Sequence, residues 1–170
     1  MSRDEDFRSF ALGQSLGLRR LSYALTQDRH RAEDLLQATL ERTYLKWARV
    51  AGAEDPGAYV RSICYRLAAT ERSRGWRRFE STFAEPPELV DSPQEDVENR
   101  LDLARALSGL TVKQRAVVVL RYLEDRPVRE VAHILNVSEG TVKRQTFEAV
   151  RRLRTLLPAT ADKNTEAPHA

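Results

Sequence analysis

Lys143, Arg144, Phe147, Arg151 and Arg154 are the residues whose types and spacing most readily do chemistry. At 100° per residue they share one side of a helix, and Val142, Thr146, Ala149, Leu153 and Leu156 form the other. Cationic side chains bond phosphate oxygens and base edges, and an outward aromatic among them is costly unless it meets a base methyl group or a partner surface. The elements that must position this face come directly before it. Val128, Val131, Ala132 and Leu135, at i, i+3, i+4 and i+7, make the stripe of a short helix. Asn136 accepts a left-handed backbone and ends that helix, Val137 returns to the core, and the Ser138 hydroxyl caps the next helix. The whole reads as a helix-turn-helix whose second helix enters the DNA major groove, with Ser138 and Thr141 joining the candidate contacts at its start. An ordinary amphipathic hairpin with solvated arginines would share the periodicity. The small Ala132 at the helix crossing, the turn chemistry and the outward Phe147 favour DNA binding.

Composition narrows the remaining classes. With 170 residues, 41% hydrophobic and 31% charged, the chain suits one ordinary domain or two small ones. One cysteine, Cys64, excludes an internal disulfide and a thiolate zinc cluster, and its helical spacing suits a buried small residue. The longest apolar run, Ala116 to Leu120, falls far short of the roughly 20 residues of a membrane span, so a cytoplasmic protein without membrane insertion is expected. Net charge is +3, but its distribution says more than its sum. Residues 1–79 carry 15 basic and 10 acidic side chains and residues 99–157 carry 12 and 6, whereas residues 80–98 hold seven acids, three prolines and no Lys or Arg. That island predicts an acidic flexible linker between two small helical domains, 1–79 and 99–157, with a disordered tail at 158–170.

The first domain reads as a helical bundle. Its first helix spans Asp4 to Thr26, with Phe7, Phe10, Ala11, Leu18, Leu21 and Leu25 inward and with Gly13 and Gly17 weakening its middle. Asp28 caps a second helix running to Val50. There Ala32, Leu35, Leu36, Leu40, Tyr44 and Trp47 face inward, and Glu33, Asp34, Gln37 and Glu41 stay outside. Asp55-Pro56 opens a third helix with core residues Tyr59, Val60, Ile63, Cys64 and Leu67. The outer face and end of this helix, Arg61, Tyr65, Arg66, Arg72, Arg74, Trp76, Arg77 and Arg78, suit opened or single-stranded nucleic acid, with cations for the backbone and rings on which bases stack. In the second domain a helix over Gln94–Ser108 precedes a capping box at Thr111 and Gln114. The run Val117-Val118-Val119 suits a strand as well, but the cap and its neighbours favour helix, giving four helices here and an all-α fold throughout.

Four stretches carry a family resemblance: DRHRAEDLLQATLERTYLKW from Asp28, DPGAYVRSICYRLA from Asp55, LTVKQRAVVVLRYLED from Leu110 and EVAHILNVSEGTVKRQT from Glu130. The chain resembles an extracytoplasmic-function (ECF) sigma factor of the sigma-70 family, most like the actinobacterial SigE-type group. The resemblance implies a dissociable initiation subunit of bacterial RNA polymerase. A region 2-like domain would bind the polymerase clamp helices and the opened minus-ten element, and a region 4-like domain the double-stranded minus-thirty-five element and the flap. Asp34, Gln37 and Glu41 become candidate polymerase contacts; Lys143, Arg144 and Phe147 take the base-reading positions, with Arg151 beyond them. Arg61, Tyr65, Arg66, Arg72, Trp76 and Arg77 become candidates for the minus-ten strand. Ala38, Arg66, Thr70 and Glu148 stand where many members have glutamate, asparagine, aspartate and arginine, so element preferences are not carried over. The linker would thread toward the polymerase active-site cleft, and an anti-sigma factor is a further partner that the family commonly uses.

Enzyme chemistry finds no support. His30, His133 and His169 lie in separate segments, and no nucleophile constellation, phosphate loop or metal spacing is present in the sequence, so no cofactor or metal is expected. The competing reading is a helix-turn-helix regulator that binds a palindromic operator without polymerase, its first domain serving for dimerisation or sensing.

Overall fold

The computed structural model describes residues 2–75 and 104–157, with backbone alone at 73–75. The expected linker, the tail, most of the Gln94–Ser108 helix, and Trp76, Arg77 and Arg78 lie outside the described residues. Among those described, every regular element is helical, as the sequence predicts.

Helix α1, Arg3–Thr26, begins at a capping box in which the Ser2 hydroxyl accepts the Glu5 amide and the Glu5 carboxylate accepts the Ser2 amide. Asp4, Glu5 and Asp6 in its first turn complement the helix dipole. Helix α2, Arg29–Leu45, is capped by Asp28, which accepts the Arg31 amide at 2.8 Å. The sequence predicts one helix through Val50, but the chain breaks at Lys46 and restarts as α3, Trp47–Ala51. The break turns Trp47 and Val50 into a small cluster with Ile63, where the indole packs at 5.5 Å from Phe7 and 5.0 Å from Phe10. Tyr44, expected in the core, is 37% exposed at the rim of this cluster, since its hydroxyl donates to Asp4 at 2.7 Å. Helix α4, Pro56–Gly75, starts where Asp55 Oδ1 accepts the Ala58 amide at 2.8 Å.

Residues 104–108 form a helical turn, α5. Helix α6, Val112–Val118, opens at the Thr111–Gln114 capping box and continues into a π-helical turn, Val119–Leu123, closed by the Glu124 amide on the Val119 carbonyl at 3.1 Å. Asp125 then takes a left-handed conformation, φ 50°, which brings Glu124 and Arg126 onto one side. Helices α7, Val128–Leu135, and α8, Glu139–Leu156, complete the chain.

The two halves do not stand apart. Helix α6 packs against α1 and α7 against α4, and one buried cluster runs from Leu18, Leu21, Leu35 and Val60 to Val117, Leu120, Val131, Ile134 and Val142. This accounts for the valine run: α6 lies between α1 and α8, and Ala116, Val117 and Val119 are all buried there. Burying side chains of this size stabilises each by about 1.5–3 kcal/mol, so separating the halves has a considerable cost.

Candidate nucleic-acid interface

Local chemistry builds the helix-turn-helix as expected. Asn136 caps α7 at φ 53°, ψ 52°, its amide bonding back to His133 at 3.3 Å, while the Val137 amide reaches Ala132 at 3.0 Å. Ser138 Oγ accepts the Thr141 amide at 3.1 Å and lies 2.9 Å from Thr141 Oγ1, so both hydroxyls are engaged at the start of α8. Val142 and Ala149 are fully buried and lock α8 against the core. The side turned outward carries Lys143, Arg144, Arg151 and Arg154, all exposed, with Phe147 at 67% exposure. Leu156, expected inside, is exposed at the last turn, where the buried line has left the core. Beside the α8 face runs an open groove of about 310 Å³ lined by Arg121, Tyr122, Val128, Lys143, Thr146 and Phe147. An aromatic and a cation edging a groove of this kind can meet both a base methyl group and a phosphate.

On the first half, Asp34, Gln37 and Glu41 are exposed along α2, opposite buried Ala32, Leu35, Leu36 and Thr39. Arg66 and Arg72 are exposed on α4, and Arg66 bonds within its own helix to the Ser62 carbonyl at 3.1 Å. Arg61 departs from the expected outward face. It is 5% exposed, pairs with Glu124 Oε2, and donates to Gln14 Oε1 at 2.6 Å and the Gly57 carbonyl at 2.9 Å. The reason is tertiary: α7 packs on α4, and Glu124, directly after the π turn, reaches Arg61. Tyr65 on the same helix is half-buried against the shared core, and desolvation raises its pKa.

The Arg61 pair belongs to a network that sequence reasoning missed. Arg126 donates to Glu124 Oε2 at 3.0 Å, Asp55 Oδ2 at 3.2 Å and Glu130 Oε2 at 3.1 Å. Burial alone would raise the Asp55 pKa, but the Ala58 amide and Arg126 outweigh it and hold the carboxyl below its ordinary range. Arg115 of α6 is 8% exposed and donates to the Ala24 carbonyl of α1 at 2.5 Å and to the Leu110 carbonyl at 2.6 Å. Desolvation, with Arg72 nearby, lowers its pKa to about 10. Arg126 and Glu130 stand at the i,i+4 spacing of a helical ion pair, but the partners that join the two halves, Arg61 with Glu124, Arg126 with Asp55 and Arg115 with Ala24, are 63, 71 and 91 residues apart and no spacing rule marks them.

Helix α8, which carries a cationic outer face and follows α7 across a tight turn in an all-helical bundle, has the geometry of a helix-turn-helix DNA-binding module. Residues 106–155 match the family model described as Sigma-70, region 4. The chain is 34% identical over 158 residues to the RNA polymerase sigma-E factor of Streptomyces coelicolor, covering 91% of this chain and 87% of that protein. It is 30% identical to the ECF RNA polymerase sigma factor SigM of Bacillus subtilis, covering 81% and 86%. Among solved structures it resembles the sigma factor RpoE of Bartonella quintana, crystallised in complex with the anti-sigma factor NepR. The TM-score is 0.77 at 25% identity, covering 92% of this chain and 99% of that one. The chain belongs to the ECF RNA polymerase sigma factors of the sigma-70 family. That membership favours the sigma-factor reading over a polymerase-independent regulator.

Proposed function

We propose that this sigma factor works in the cytoplasm as a dissociable, non-enzymatic initiation subunit, with residues 1–79 and 99–157 as its two promoter-facing modules and 80–98 as the linker between them. The outward face of α8 carries the reading: Lys143, Arg144 and Phe147 are exposed in the first turns of a helix anchored by the fully buried Val142 and Ala149. These residues read the double-stranded minus-thirty-five element, Ser138 and Thr141 contact the flanking backbone, and Arg151 adds phosphate affinity. Asp34, Gln37 and Glu41, exposed along one side of α2, engage the clamp helices of core polymerase. Tyr65, Arg66 and Arg72, continued by Trp76 and Arg77, hold the opened minus-ten strand, joined by Arg61 once α7 leaves it. The polymerase flap and an anti-sigma factor are further partners in this reading.

The test is run-off transcription with purified core polymerase on a promoter library. Transcripts starting downstream of a shared pair of elements are expected. Selection of a palindrome by the protein alone, with no transcript from the reconstituted enzyme, would overturn the reading.

A further inference from the structure

Helix α8 carries two acidic side chains in very different settings. Glu139 sits in the first turn, where the helix dipole favours a carboxylate. Glu148 stands two turns later among Lys143, Arg144, Arg151, Arg152 and Arg154, all of them exposed, as it is itself. Arg144 and Arg152 lie one turn before and after it, at the i,i+4 spacing that suits a surface ion pair. Yet among the described residues the Glu148 side chain joins no ion pair and no hydrogen bond. It holds nothing in the fold, and on a face turned toward phosphate a carboxylate is repelled unless a donor meets it. Its position puts it beside the base-reading residues. It follows Phe147 directly, about 1.5 Å farther along the axis, and stands about 6 Å beyond Arg144, within the roughly 12 Å width of the major groove. At 3.6 residues per turn it is rotated only about 40° from Arg144. Lys143 and Phe147 border the groove lined by Tyr122 and Val128, and Arg144 and Glu148 share the other flank of the face.

We infer that Glu148 is a specificity-determining residue that accepts the N4 amino group of a cytosine in the minus-thirty-five element, one or two base pairs from the base read by Arg144. The inference rests on the proposed reading by α8 and extends it to a further base. A carboxylate accepts hydrogen bonds and donates none. In the major groove guanine presents N7 and O6 and thymine presents O4, all acceptors, so both repel it. Adenine offers its N6 amino group, but the N7 lone pair lies alongside. The cytosine amino group has only a C5–H beside it on its own ring, so cytosine alone meets the carboxylate with a donor and no opposing lone pair. Discrimination works in both directions, because a wrong base leaves the negative charge among phosphates without a donor. The offset from Arg144 follows from about 6 Å of helix against about 3.4 Å per base pair.

The experiment is binding selection on randomised minus-thirty-five elements with the full chain reconstituted on core polymerase, comparing the parent with Glu148→Ala, Glu148→Gln, Glu148→Arg and Arg144→Ala. Alanine, glutamine and arginine are good helix formers and the site is exposed, so each variant keeps its fold, which circular dichroism checks. The parent should enrich cytosine at one position by about fivefold or more, the low end of a base-edge contact. Glu148→Ala should flatten that position, lowering affinity for elements that hold the cytosine and raising it for elements that lack it. Glu148→Gln should turn the preference to adenine, whose N6 and N7 suit an amide, and Glu148→Arg should turn it to guanine. If the carboxylate only repels phosphate or serves the helix surface, Glu148→Ala shifts every sequence alike and keeps the parent's profile, which overturns the inference. Flattening in all three Glu148 variants with no new base preferred would mean that Glu148 acts through Arg144, which overturns the direct contact. Should Arg144→Ala flatten a position while no Glu148 variant does, α8 reads bases without Glu148. Should neither residue affect any position, the α8 reading fails and this inference with it.

Discussion

Arg144→Ala and Arg154→Ala should separate base reading from anchoring on one helix. Both side chains are exposed on the same side of α8, yet ten residues at 1.5 Å each place Arg154 about 15 Å farther along the axis. The major groove is about 12 Å wide, so when the first turns of α8 are seated on base edges the last turn has passed the groove and reaches only sugar and phosphate. A bidentate arginine contact is worth about 1–3 kcal/mol of discrimination, so Arg144→Ala should flatten preference by about 5- to 150-fold at one or two positions of the upstream element. Arg154→Ala should weaken all sequences alike and reduce the slope of log affinity against log salt by about one. With few cations on this face, the isolated protein binds poorly and polymerase tethering supplies the remainder, so selection should use the reconstituted holoenzyme on randomised upstream elements at two salt concentrations. Identical preference profiles for the two variants would refute the assignment.

Asp34→Ala with Gln37→Ala should weaken retention of core polymerase in a pull-down while circular dichroism stays unchanged; full retention by the folded variant would count against the α2 face. Alanine at Arg72, Trp76 and Arg77 should reduce permanganate reactivity of the opened strand more than duplex binding, and equal losses would argue for a structural role. Asn136→Ala should cost about 1–2 kcal/mol because an L-residue then carries φ 53°, seen as a drop of roughly 2–8 °C in Tm, with Asn136→Gly close to neutral. Burial pushes the Cys64 thiol above its ordinary 9.0 despite bonds from Ser22 and Thr39. Above that pH the unfolded state therefore binds fewer protons than the native one, and stability falls as pH rises. Urea midpoints of the parent should drop relative to Cys64→Ala between pH 8 and pH 10, and parallel profiles would contradict the burial argument.

The parts of this fold that were legible in the sequence are those decided within a few residues. Ser138, Thr111 and Asp28 announce their helices because a cap needs only an oxygen at the right offset, and Asn136 announces its turn through its tolerance of positive φ. The outward row on α8 follows from the same local periodicity. Decisions made across the chain were hidden. Arg61 reads as one more cation on a basic helix until Glu124, 63 residues away, takes it inside. The break at Lys46 comes with Trp47 packing on Phe7 and Phe10, some forty residues earlier in the chain. Gly17 reads as a mere weakness of α1 until the Arg61 and Glu124 side chains packed against it are known.

The continuity of the buried cluster bears on how the chain is made. Synthesis completes α1, α2 and α4 before α6 exists, and roughly 40 residues at about 5–20 per second leave the α6-facing side of α1 bare for about 2–8 s. For that interval the nascent chain presents an apolar surface that its own second half will later cover. Its yield in a cell should accordingly track elongation rate and chaperone supply more closely than it would for two self-contained bundles.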